Sequence, residues 1–163
     1  MGEPPNDRLE AAHAVRTLAR ALLLLLVAQY LLGEWVNLDG SFPDGPPSLG
    51  SALVDASDPA LALHLLVALA LLFGALLALA FGWVSQVRRL RLATGLGFLG
   101  VLLAAAGGAL FVYSGYANAG ASFLMAGAFL LAFSAFASAH FLAERELTEA
   151  ASPRAAGSVS PHA

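Results

Sequence analysis

Residues 59–84 read PALALHLLVALALLFGALLALAFGWV, and this stretch decides the fold. It contains no acidic residue and no arginine, and His64 is its one ionisable side chain. About 20 apolar residues in an α-helix cross the ~30 Å hydrocarbon core of a bilayer. Because a single span must satisfy its own backbone hydrogen bonds, it forms a helix and not a strand. The stretch therefore predicts a transmembrane helix.

Three further apolar stretches lie on either side of this one. They cover residues 18–36, 92–114 and 120–142. Of the 163 residues, 59% are hydrophobic and only 12% are charged, whereas a soluble domain has about a quarter charged residues. The sequence therefore predicts an all-α integral membrane protein, a four-helix bundle with up-down-up-down topology.

The arginines indicate how the spans are oriented. The eight basic residues are all arginines, and they precede the apolar core of the first span (residues 21–27), separate the second span from the third, or follow the fourth. The segment from Glu34 to Asp58 carries acidic residues and no basic one. Because cytoplasmic loops carry the excess of Lys and Arg, we expect a multi-pass protein of the cell membrane with both termini in the cytoplasm.

The polar segments set the boundaries of the membrane domain, which we place at residues 16–146. Residues 1–15 and 147–163 are predicted to be disordered cytoplasmic tails, although we expect the first helix to extend back to about Ala11 and the fourth to continue to about Glu149. The outer loop, residues 37–58, is rich in proline and glycine and cannot form a long helix or strand. Asp58 at its end is suited to be the N-cap of the second span.

Small residues predict where the helices approach one another, since close approach through Gly and Ala is what holds helices together in lipid. Two rows have intervals of four residues, Gly74, Ala78 and Gly82 in the second span and Gly100, Ala104 and Gly108 in the third. We expect these rows to meet in an antiparallel contact, because the loop between the two spans is short. The alternative is that the rows join copies of the chain in a homo-oligomer.

The residue types exclude several kinds of chemistry. A chain without cysteine has no disulfide, no thiolate metal site and no thiol catalysis. No Asp, Glu or Arg lies near the centre of a span, which argues against an ion-coupled transporter and against a channel with charged selectivity rings. His140, near the inner end of the fourth span, is interpreted as an interfacial side chain that reaches cytoplasmic water.

His64, near the outer end of the second span, is the residue most suited to chemistry. At a matching depth the other spans present side chains that we predict to line a pocket with it: Gln29, Tyr30, Tyr113, Ser122 and Met125. A His–Met pair is a known axial ligand set for low-spin haem, and bundles often hold a cofactor between facing helices. The alternative is a structural His64, bonded to a neighbouring polar group, with Met125 packed in the core.

The four-span layout, with a histidine near the outer end of the second span, resembles one half of haem A synthase. In that family each half is a four-helix bundle with outer-side histidines on its second and fourth helices. The resemblance implies haem ligation by His64, with Met125 at the depth of the second histidine and Asp58 as a loose counterpart of an acidic residue. It covers the topology and, at the level of residues, His64.

Together these patterns predict a small polytopic membrane protein with no catalytic residue, serving structure, assembly or partner binding. The alternative is a haem-binding, cytochrome b-like redox protein that uses His64, with or without Met125. A third hypothesis is a transporter-like unit that works only as an oligomer. The expected partners are the lipid bilayer and either further copies or a membrane complex. We expect no nucleic acid and no metal ion.

Overall fold

The computed structural model describes residues 5–39, 59–116 and 118–152. Within these ranges the chain forms four α-helices and no strand: α1 Pro5–Asp39, α2 Pro59–Val84, α3 Arg88–Tyr113 and α4 Ala119–Ala151. All four helices are long and apolar enough to cross a membrane. The predicted all-α fold, with four membrane spans, is confirmed.

The helix ends differ from the predicted spans at the two termini of the chain. α2 coincides with the predicted second span, but α1 has 35 residues and α4 has 33, against 26 in α2. The predicted disordered tails are therefore helical from Pro5 and as far as Ala151. Residues 1–4 and 153–163 lie outside the described residues, as does the predicted outer loop from residue 40 onward, with Asp58.

Burial explains why α1 begins so early. Ala11, Ala12 and Val15 are buried, although they precede the apolar stretch. Ala12 and Val15 belong to one buried cluster with Ala139 and Ala143 of α4. Small apolar residues at these positions let the ends of α1 and α4 pack closely, which stabilises helix where polar composition suggested disorder.

The four helices form a ring in chain order. α1 packs against α2 and α4, and α3 packs against the same two helices. Among the described residues the diagonal pairs, α1 with α3 and α2 with α4, have no Cα atoms within 8 Å of each other. Neighbouring helices are antiparallel. Leu22 of α1 packs on Gly74 of α2, for example, and later in α1 Gln29 contacts His64, which comes earlier in α2.

The buried face of α1 shows the spacing that this packing requires. Its buried residues recur alternately three and four positions apart: Ala12, Val15, Ala19, Leu22 and Leu26. Such a row is typical of helices that cross at a shallow angle in a bundle. The same spacing continues to Gln29 and then to Gly33, so the otherwise apolar row contains one polar residue, Gln29, toward the C-terminal end of α1.

A tight turn joins α3 to α4. Gly115 and Tyr116 both have positive φ, 72° and 63°, and the N–H of Tyr116 donates to the carbonyl of Phe111. This left-handed C-terminal turn, with glycine first, is a common way to end a helix. The side chain of Asn118 then accepts from the N–H of Ala121, 3.1 Å away, and caps α4.

The bundle therefore has two distinct ends. The arginine end comprises residues 5–20, 82–97 and 132–151, and the loop end comprises residues 27–39, 59–70 and 104–125.

Candidate functional site

The glycine row of α3 packs against α4, and not against α2 as we expected. A Cβ added at Gly100 would lie 2.7 Å from the backbone nitrogen of Ala132, so the two helix backbones are in close contact there. A Cβ at Gly107 would lie 2.8 Å from Cγ of Met125. A Cβ added at Gly108 would lie 3.7 Å from the sulfur of Met125, and Ala104 is half-buried.

The row of α2 is divided between two neighbours. A Cβ at Gly74 would lie 3.0 Å from Cδ2 of Leu22 in α1, and Ala78 is fully buried. Only Gly82 meets α3, where it leaves room for the side chain of Thr94. The spacing of small residues thus predicted close contacts correctly, but it carries no information about which neighbour each row meets.

His64 lies in the contact between α1 and α2 at the loop end. Its Nε2 is 2.9 Å from Nε2 of Gln29. The ring also packs on Gly33, where an added Cβ would be 3.1 Å from Cε1 of His64. A side chain at residue 33 would push the imidazole away, so glycine at this position and histidine at residue 64 fit together.

Two polar atoms of this pair have no hydrogen-bond partner. Nδ1 of His64 and Oε1 of Gln29 are both buried and unbonded. When the proton of the neutral imidazole is on Nδ1, the amide of Gln29 donates to Nε2, and the N–H at Nδ1 is then a buried donor without an acceptor. Leaving such groups unpaired is costly, which makes this contact the least satisfied one in the described bundle.

The other residues predicted for the pocket do not surround His64. Tyr30 is 51% exposed, with its ring 5.4 Å from that of Phe129 in α4. Tyr113 is 60% exposed, and Ser122 also lies on the outer surface of the bundle. Of the predicted pocket, the structure brings only Gln29 to His64.

The predicted axial pair lies in two separate helix contacts. His64 packs on Gln29 and Gly33 of α1, whereas Met125 packs on Gly107 of α3. The two side chains are therefore directed to different neighbours, His64 to α1 and Met125 to α3.

His140 makes a second polar link between helices, which the sequence reading missed. Its Nδ1 is 3.3 Å from the carbonyl oxygen of Arg16 in α1, and its Nε2 is 3.5 Å from a carboxylate oxygen of Glu144. The available signal was the apolar spacing around Arg16, since Val15 and Ala19 on either side of it are buried. No group of three metal-binding side chains occurs among the described residues.

No protein-family model, no curated protein and no solved structure matches this chain. The likeness to haem A synthase therefore stays a prediction, and function has to be argued from the geometry of the bundle itself. That geometry is of a multi-pass membrane protein in which His64 with Gln29, and His140 with the carbonyl of Arg16, link helices to one another.

Proposed function

We propose that this chain is a non-enzymatic subunit of the cell membrane that serves structure, assembly or partner binding. The observation that supports the proposal is the contact between His64 and Gln29. His64 is the one ionisable side chain in α2. Its Nε2, which could otherwise bind a ligand, instead contacts Gln29 and joins two helices. Interhelical hydrogen bonds of this kind stabilise membrane bundles modestly, by about 1 kcal/mol.

A pair of substitutions at residue 64 tests this role. His64→Gln keeps a side chain that can bond to Gln29 but removes the imidazole, whereas His64→Leu removes both. If His64 serves packing, the Gln variant keeps most of the thermal stability in detergent and the Leu variant loses it. A bound chromophore, or any chemical activity of the purified chain, that disappears in both variants would contradict the proposal.

The alternative, a haem-binding redox protein, has one observation in its favour. Nδ1 of His64 is buried without a partner, so this nitrogen is unused by the protein. Haem ligation would require His64 to turn away from Gln29 and Gly33. Absorption spectra of protein purified from haem-replete cells decide the matter: a Soret band that is lost in His64→Gln would establish the alternative, and a colourless protein would end it.

The proposed orientation, with both termini in the cytoplasm, can be tested with single cysteines because the chain has none. We expect Ser48→Cys to react with a membrane-impermeant maleimide in intact cells. Ser158→Cys should react only after the cells are permeabilised. The opposite pattern would reverse the orientation while leaving the bundle unchanged.

A further inference from the structure

Arg20 lies on the face of α1 that is directed away from the bundle. The exposed residues of this helix also recur three and four positions apart, and Arg20 is between Thr17 and Leu24 in that row. All three are exposed. Since the buried row of α1 lies on the other side of the helix, the guanidinium of Arg20 is directed into the surrounding lipid.

The register between α1 and α2 fixes the depth of Arg20. Leu22 packs on Gly74, which precedes Trp83 by nine residues. Trp83 in turn has the guanidinium of Arg91 5.4 Å from its ring centre, and Trp and Arg together are typical of the headgroup region. Because the helices are antiparallel, Arg20, two residues before Leu22, is level with a residue seven positions before Trp83. At 1.5 Å per residue, the backbone of Arg20 therefore lies roughly 10 Å from the level of Trp83, toward the bilayer centre.

No carboxylate of the described residues pairs with Arg20. The ion pairs found there are His140 with Glu144 and Arg145 with Glu149, both near the end of α4. A guanidinium at this depth is costly unless it finds a charged partner or reaches the interface. Side chains of a helix tilt toward its N-terminus, so that of Arg20 extends toward the arginine end, where the headgroups lie.

We infer that Arg20 binds the phosphate of a phospholipid and holds that lipid against the outward face of α1. The planar guanidinium can donate two parallel hydrogen bonds to phosphate oxygens. Beyond Arg20, toward the bilayer centre, the same face presents Leu24, Val27 and Leu31, which are exposed and apolar. One lipid molecule can therefore place its phosphate at Arg20 and an acyl chain along these three residues.

The chemistry of the site selects the phosphate and not the rest of the headgroup. Thr17, one turn closer to the interface on this face, uses its hydroxyl to donate to the carbonyl of His13, 3.1 Å away. Zwitterionic and anionic phospholipids both carry the phosphate, so both are bound. Local thinning of the bilayer around α1 accompanies binding, because the phosphate is drawn below its usual level.

Native mass spectrometry of the full chain, released from vesicles of phosphatidylethanolamine and phosphatidylglycerol, tests this inference. The wild type should carry one retained phospholipid, and Arg20→Leu should lower the lipid-bound fraction about tenfold, as expected when a charge-assisted contact is lost. Arg20→Lys should give an intermediate value, because an ammonium group lacks the two-pronged geometry. Arg145→Gln is the matched control and should change nothing.

Equal lipid retention in the wild type and Arg20→Leu would overturn the inference. Leucine suits a lipid-facing position, so this variant is expected to fold, and its melting temperature in detergent checks that. If Arg20→Leu does not fold, the lipid-bound fraction is compared between the wild type and Arg20→Lys instead, and equal fractions would likewise overturn the inference. Addition of excess inorganic phosphate should leave the lipid bound, and displacement of the lipid would overturn the inference by showing that the site prefers a free anion.

Discussion

The arginine end and the loop end of the bundle are packed in opposite ways. At the arginine end, Val15, Leu90 and Phe136 are completely buried. The buried polar side chains there are satisfied: the hydroxyl of Thr94 donates to the carbonyl of Leu90, 2.9 Å away, and that of Ser85 to the carbonyl of Gly82, 2.8 Å away. At the loop end the principal polar contact leaves two buried atoms unbonded.

This difference indicates that packing contributes more to the stability of the fold at the arginine end than at the loop end. The long extensions of α1 and α4 meet at the arginine end, and the carbonyl of Ser85 accepts a hydrogen bond from Nε of Arg8. At the loop end, by contrast, Gln29 and His64 take positions that continue the buried rows of apolar residues. We therefore expect substitutions to be most damaging at close backbone contacts and least damaging where a hydroxyl merely bonds to its own helix.

The largest effect is expected for Gly100→Leu. An added Cβ at Gly100 lies 2.7 Å from the backbone of Ala132, and backbone cannot move aside as a side chain can. The variant should lose at least about 3 kcal/mol of unfolding free energy, at the upper end for overpacking, or fail to fold. Unfolding in detergent measures this, with Gly127→Leu as control because Gly127 has no atom within 4 Å of its added Cβ.

If Gly100→Leu were as stable as the control but changed the mass of the protein in detergent, the glycine row would join copies of the chain. That result would contradict the α3–α4 contact described above.

The next largest effect is expected for Phe136→Ala. Phe136 is fully buried, and its ring fills the space beside Gly97. Removing it should lower the unfolding free energy by about 3 kcal/mol. Phe123 lies on the same helix and is 79% exposed, so Phe123→Ala should cost much less. Equal losses for the two variants, measured under the same conditions, would remove the evidence for a tightly packed arginine end.

At the loop end, a double-mutant cycle of His64→Leu and Gln29→Leu should give a smaller effect of a distinctive kind. Each single variant leaves the other polar group buried and unpaired, at a cost of about 1 kcal/mol. The double variant removes both polar groups and should be nearly as stable as the wild type. If the loss of unfolding free energy in the double variant equalled the sum of the two single losses, the two side chains would have no interaction energy.

The smallest effect is expected for Thr94→Val. The hydroxyl of Thr94 is buried, but its partner is a carbonyl of its own helix, which already takes part in the backbone ladder. A methyl group in its place fits beside Gly82 and should cost about 0.5 kcal/mol. A loss larger than that of His64→Leu would reverse the contrast between the two ends.

The sequence predicted the spans well because hydropathy is a property of the local chain. Residues 59–84 are apolar whatever their neighbours are, and the helix has the predicted ends. Helix was expected from about Ala11, but the start of α1 at Pro5 was missed, since Ala11 and Ala12 become buried only when the helices are assembled. Composition alone describes those two residues as part of a polar tail.

The site was predictable only in part, for the same reason. His64 and Gln29 were recognised from their depth, and they are in contact. Depth, however, does not specify the rotation of a helix about its axis. Tyr113 and Ser122 have a matching depth and yet lie on the outside, and Met125 faces α3. Only tertiary contacts decide which of these side chains meet.

Cysteine cross-linking in membranes tests the arrangement of the helices around His64 most directly. Two double variants are required, Gln29→Cys with His64→Cys and Met125→Cys with His64→Cys, each with a protease site inserted after Gly45 or after Gly115, respectively. Because the contact of Gln29 with His64 joins the ends of two long side chains, the cysteines are linked by a short bifunctional thiol reagent and not by a direct disulfide. The described contacts predict that, after reaction and proteolysis, the fragments of the first variant stay joined and those of the second separate. Cross-linking of residues 64 and 125, without cross-linking of residues 29 and 64, would contradict the described arrangement and favour His64 and Met125 as a pair of haem ligands.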